Sequence, residues 1–98
     1  MNTFKVTIVT PEKIVFDGEA EYLHVPGGAG SMGILANHAP LLSSLTAGAF
    51  ELRPANAPAV IFKTSRGGFI EVLNNNVSIL LDAADSQALS LPSAGTTA

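Results

Sequence analysis

The chain holds two histidines, eight carboxylates and no cysteine, and these limit what chemistry it can do. With no cysteine, disulfides, thiolate zinc sites and cysteine nucleophiles are all excluded. A zinc site needs three or four ligands, and His24 and His38 are too far apart in sequence for the H-x-H pattern of metal-binding barrels. His24 reads as a half-buried strand residue. His38, within Asn37-His38-Ala39-Pro40, reads as a loop-fixing residue that uses its ring nitrogens as hydrogen-bond groups. The carboxylates Glu12, Asp17, Glu19, Glu21, Glu51, Glu71, Asp82 and Asp85 are scattered. Glu19 and Glu21 would share one strand face about 7 Å apart. A carboxylate pair can hydrolyse glycosides, but so short a chain leaves little room for a substrate cleft, and a solvated face is the simpler reading. No serine lies in G-x-S-x-G. Asn76-Val77-Ser78 matches a glycosylation acceptor, which reads as accidental without a secretory leader.

Gly28, Gly30 and Gly33 spell G-x-G-x-x-G. That spacing binds a dinucleotide only when a strand precedes it and a helix follows, because the pyrophosphate sits on the helix N-terminus. Here Pro40 would break any helix begun at Gly33. The glycines therefore read as a loop at the end of a β structure. Met32, Ile34 and Leu35 lie among them, where loops usually run over the surface. They either fold under as a plug or form a contact patch for a partner.

The elements carrying these residues have the period of strands. Phe4, Val6 and Ile8 alternate with Lys5 and Thr7, and Ile14 and Phe16 repeat the pattern. Asp17-Gly18 reads as a turn. In Glu19–Val25 the inward parity is ambiguous, since Glu19 and Glu21 share a face with Leu23 and Val25. Ala49–Arg53, Ala59–Thr64, Phe69–Leu73 and Val77–Asp82 are further short runs. Val77, Ile79 and Leu81 form the cleanest inward set. Arg66-Gly67-Gly68 and Asn74-Asn75-Asn76 separate runs with residues that tolerate positive φ. Such short links imply antiparallel neighbours, and several closely spaced strands imply a sandwich or barrel. The one helical signal is a single turn within Ala39–Leu45, opened by Pro40. The expected fold is an all-β antiparallel sandwich over residues 1–85 with a flexible, disordered tail over 86–98, in which Leu89 and Leu91 are the residues able to pack.

Composition narrows the partners. The 98 residues are 47% hydrophobic and 13% charged, with net charge −3. This is one small domain with a core. Lys5, Lys13, Arg53, Lys63 and Arg66 are dispersed, so neither nucleic acid nor anionic lipid has a basic stripe to bind. No apolar run is long enough to span a bilayer and no signal peptide is evident, so the chain is expected to stay in the compartment where it is made.

Several stretches together resemble the epsilon subunit of the F-type ATP synthase. They are Val6–Phe16 (VTIVTPEKIVF), Asp17-Gly18-Glu19, Gly30–Leu42 (GSMGILANHAPLL) and Gly67–Val77 (GGFIEVLNNNV). The resemblance runs in order from Thr3 to about Asp85 and implies an antiparallel β sandwich of about ten short strands. It also implies a noncatalytic rotor subunit of the central stalk, which binds gamma and the c-ring and couples proton-driven rotation to ATP synthesis. It implies a protomer within a hetero-oligomer, peripheral at the cytoplasmic face of the bacterial inner membrane. No cofactor, metal or catalytic residue is implied. Ser31, Met32 and Gly33 align with the ring-facing loop, and Thr10, His38 and Ser43 with positions facing gamma. Many relatives carry an acidic residue where this chain has Ser31, so apolar and hydrogen-bond contacts must serve at the ring. The family usually continues into two C-terminal helices of about 40–50 residues. Their inhibitory and ATP-binding roles do not transfer to this chain. The alternative from the residues alone is a free-standing β-sandwich ligand-binding module with Pro26–Asn37 as its rim.

Overall fold

The computed structural model describes residues 2–82. Eight strands follow in chain order: β1 (Phe4–Val9), β2 (Ile14–Gly27), β3 (Gly30–Ile34), β4 (Leu41–Leu45), β5 (Gly48–Pro54), β6 (Val60–Thr64), β7 (Gly68–Leu73) and β8 (Asn76–Leu81). Hydrogen bonding runs β1-β8-β7-β4-β2-β5-β6, with β3 on β2 and β1 also paired to β2. The long β2 serves both layers of the sandwich. Its first half pairs with β1, and its second half with β3 and β5.

The alternation seen in the sequence is what fills the core. Phe4, Val6 and Ile8 of β1 meet Val77, Ile79 and Leu81 of β8 and Ile70 and Val72 of β7, all at most 5% exposed. Leu23, Val25 and Ile34 come from β2 and β3, and Phe50, Leu52 and Phe62 from β5 and β6. The rings of Phe50 and Phe62 stack at 4.9 Å across a β5–β6 register pair. Links are short where turn residues predicted them. Asn74 and Asn75 have φ of 52° and 63°, the conformation a two-residue hairpin between β7 and β8 demands. Gly67 and Gly68 are needed for close approach: a Cβ on either would sit 1.9 Å from a backbone oxygen, that of Leu45 or of Leu80.

The structure corrects several expectations. Eight strands are described, where about ten were expected. Asp17-Gly18 is no turn: both residues lie inside β2, opposite Thr7 and Val6. The β1–β2 reversal occurs at Thr10–Lys13, where Thr10 N–H donates to Lys13 O at 2.9 Å. Leu41–Leu45 is a strand fully paired with β7, not part of a helical turn. Pro40 stands just ahead of it, where its missing N–H leaves the ladder intact. The pairing is mixed, because β1 and β8 run parallel. Short links dictate only the sense of consecutive strands, and these two sit at opposite ends of the described chain.

The ambiguous parity of β2 also has a cause. Its register with β5 skips Glu21, so Ala20 faces Pro54 and Tyr22 faces Arg53. The extra residue is a bulge that shifts the inward set from Ala20 to Leu23 and Val25. Glu21 is thus itself the bulged residue, and Glu19 and Glu21 are not a simple pair. Glu19 accepts from Thr3 Oγ1 at 2.6 Å. A second irregularity pairs Ile8 with Phe16 and Val9 with Ile14, skipping Val15 and leaving Ile14 61% exposed. The expected tail 86–98, with Leu89 and Leu91, and Asp85 lie outside the described residues.

Candidate interaction face

No three His, Asp or Glu side chains among the described residues come together in a way that could hold a metal ion. Gly28 lies in the β2–β3 turn, and Gly30 and Gly33 lie in β3, so no helix N-terminus stands where a pyrophosphate would need one. What the fold builds instead is a surface.

Strands β7 and β8 each bury one alternate set, Ile70 and Val72 on one and Val77, Ile79 and Leu81 on the other. The opposite set of each strand also contains apolar side chains. Phe69 and Leu80 are register partners across β7–β8 and are 58% and 55% exposed. Ser44 faces Phe69 from β4, so Leu42, two residues along, sits on the diagonal and is 75% exposed. Leu73, 48% exposed, continues the row beyond Glu71, which pairs with Leu42. Four large apolar side chains thus run obliquely across the outer face of β8, β7 and β4. Isolated exposed leucines are ordinary, but a contiguous apolar row on a sheet is a mark of an interaction site. Two open hollows adjoin it. One, of about 570 Å³, is bordered by Pro11, Ser44, Phe69 and Leu80. The other, of about 280 Å³, is bordered by Pro40, Leu42, Glu71 and Leu73.

Thr10, His38 and Ser43, the residues expected to face gamma, are not part of this apolar surface. Thr10 is 7% exposed. Its Oγ1 accepts from the N–H of Glu12 at 3.4 Å and of Lys13 at 3.3 Å, so it shapes the turn that presents Pro11 at the first hollow. His38 lies in the loop entering β4, two residues before Pro40, which borders the second hollow. Its Nδ1 is 2.7 Å from Ala39 O, which can only accept, so Nδ1 carries the proton. Ser43 is half-buried and shares the inward parity of Leu41 and Leu45. Its hydroxyl donates to Ser44 O at 3.0 Å. Leu42 and Ser44 are the β4 residues that look outward.

The residues expected to face the ring lie away from this row. Ser31, Met32 and Gly33 lie in β3, opposite Pro26, Val25 and His24 of β2. Ser31 and Gly33 are exposed, while Met32 is half-buried and packs against the core. The choice between plug and patch for the glycine-rich stretch is resolved residue by residue: Ile34 is fully buried, Met32 is intermediate and Leu35 is 59% exposed. The outer face of this layer also carries Tyr22, whose ring lies under Arg53 at 5.0 Å and stacks on His24 at 6.5 Å.

The row Leu80–Phe69–Leu42–Leu73 was missed from sequence. Its signal was present, because Phe69–Leu73 and Leu80-Leu81 are apolar on both parities, and a strand whose alternate set already fills the core must show the rest to solvent or to a partner.

Residues 3–87 match the family described as ATP synthase, Delta/Epsilon chain, beta-sandwich domain. The chain belongs to this family. Among delta/epsilon-family relatives, the ATP synthase epsilon chain of Leptospira interrogans (serovar copenhageni, strain Fiocruz L1-130) is 44% identical over 81 residues, which cover 83% of this chain and 62% of that one. The ATP synthase epsilon chain of Gloeothece citriformis is 45% identical over 86 residues, covering 88% of this chain and 61% of that one. This chain therefore spans about three fifths of the length of these relatives. The fold is shared with a chain of the Euglena gracilis mitochondrial ATP synthase structure (OSCP/F1/c-ring), at TM-score 0.76 and 20% identity over 85% of this chain and 52% of that one. It is shared too with a chain of the Tetrahymena thermophila mitochondrial ATP synthase central stalk/c-ring structure, at TM-score 0.64 and 23% identity over 81% of this chain and 63% of that one.

Proposed function

We propose that this chain is a noncatalytic part of the ATP synthase rotor. It joins the gamma subunit to the c-ring and helps transmit proton-driven rotation to the catalytic head. The observation that carries the reading is the apolar row Leu80–Phe69–Leu42–Leu73, exposed on one sheet and bordered by the Thr10 turn and the His38 loop. Gamma covers that row, and the β3 edge with Ser31, Met32 and Gly33 meets the ring. Two contacts on different layers of one stiff sandwich suit a part that must carry torque, because a preformed surface loses little entropy on docking. Relatives named as ATP synthase epsilon chains and a structural neighbour from a central stalk/c-ring assembly support the same reading. In a bacterium the assembly lies at the cytoplasmic face of the inner membrane, with this chain held there by its protein partners.

The test is reconstitution. The purified chain co-elutes with its own gamma subunit on a sizing column and restores proton-driven ATP synthesis to membranes stripped of epsilon. A chain that fails both at physiological salt, and is instead stabilised by a small molecule, is a free-standing binding module and not a rotor part.

A further inference from the structure

The loop between β3 and β4, Leu35–Pro40, has no ladder of its own, yet it carries Pro40 to the border of the apolar row, with His38 two residues before it. One side chain from a distant hairpin holds it. Asn75 Oδ1 accepts from Asn37 N–H at 2.7 Å. The same amide's Nδ2 donates to Thr3 O at 2.9 Å, and the Asn75 carbonyl accepts from Lys5 N–H at 3.2 Å. Both side-chain partners are backbone groups, so the amide has only one orientation that satisfies them. Within the loop, His38 N–H donates to Leu35 O at 3.2 Å, and Asn37 takes a φ of 64°. That left-handed conformation disfavours most residues, and an unanchored loop would leave it readily.

We infer that Asn75 is a positioning residue for the gamma contact, resting on the reading of function above: its amide fixes the loop that presents His38 and Pro40 to the partner. The bond to Asn37 needs an acceptor at position 75, which asparagine and aspartate both supply. An aspartate keeps the acceptor for Asn37 but cannot donate to Thr3, and a glycine keeps the positive φ but removes both bonds. The elements on either side do not need the amide. β7 and β8 are joined by their own ladder as far as Leu73 and Asn76, and β1 is held by β8 and β2. Loop 35–40 is thus the segment that loses most when the amide is lost.

The experiment compares gamma affinity, melting temperature and Asn37 amide exchange in the full chain and in N75G, N75D and I79V. The unaltered chain is expected to protect the Asn37 amide. N75G should release it and weaken gamma binding about tenfold, equivalent to 1.4 kcal/mol. N75D should keep most of both the affinity and the protection. I79V, which trims the fully buried core of β8, should lower the melting temperature without weakening gamma binding. The inference is overturned if Asn37 exchanges freely in the unaltered chain, if N75G binds gamma as tightly as the unaltered chain, or if I79V weakens binding as much as N75G. An unaltered chain that does not bind gamma overturns the reading of function itself and this inference with it.

Discussion

Leu42 is 75% exposed although its neighbour Leu41 packs against the core, and the difference between them is parity alone. A side chain so open contributes little to folding. If gamma covers it, burial is worth roughly 1.5–3 kcal/mol, and a charge there adds a desolvation cost. Leu42→Asp should therefore weaken gamma binding by at least about 2 kcal/mol while shifting unfolding free energy by less than about 0.5 kcal/mol. Calorimetric titration and thermal melting check the two halves. Thr10 presents the opposite case. Its hydroxyl accepts two backbone N–H groups and it is almost fully buried, so its first duty is the turn. Thr10→Ala should cost about 1 kcal/mol of stability, with Thr10→Ser recovering most of it, measured by denaturant unfolding of the isolated chain.

At the scale of elements, β2 decides the architecture. One strand of 14 residues contributes to both layers only because the bulge at Glu21 switches which side chains look inward. Were Glu21 paired as an ordinary ladder residue instead, the parity that buries Ala20 would run on and turn Leu23 and Val25 outward. Deleting Glu21 should therefore leave Ala20, Leu23 and Val25 on one inward face and retain a cooperative unfolding transition, as should Glu21→Ala, which keeps the bulge. Circular dichroism melts of the two variants check this, and loss of the transition in either would show that the bulge or its carboxylate, and not the shared inward face, holds β2 in place. The hairpin of β7 and β8 illustrates the converse. Its Asn74-Asn75 turn, its alternating core set and its register all agree, so this element is specified almost entirely by its own residues.

For the whole molecule, the feature that matters is the separation of its surfaces. The apolar row lies on β8, β7 and β4, whereas β3 is paired with β2 and with none of those strands. Of the charges on that outer face, Glu71 is the one within the row, while Lys5 and Asp17 are 3.6 Å apart and already paired. Docking there should depend little on ionic strength. Between about 0.1 and 1 M salt, where the screening length falls from about 10 to 3 Å, gamma affinity should change by less than about threefold. A steep loss with salt would instead assign the contact to charged groups and sink the apolar row as its basis.

The residues alone settled the strand class, the inward sets of β1, β5, β7 and β8, the asparagine and glycine turns, and the absence of sulfur chemistry, because each depends on neighbours a few positions away. The two Gly-rich and His-containing stretches also carried the family resemblance, and with it the expectation of which positions face the ring and gamma. Tertiary structure alone decided that Asp17-Gly18 is mid-strand, that Leu41–Leu45 joins β7, that β1 lies parallel to β8, and that Thr10 and Ser43 turn inward while Phe69, Leu80 and Leu42 turn out. The reason is that a bulge or a long-range ladder is paid for by contacts between segments far apart in the chain. No local period records which of two apolar faces the fold will bury and which it will leave for a partner.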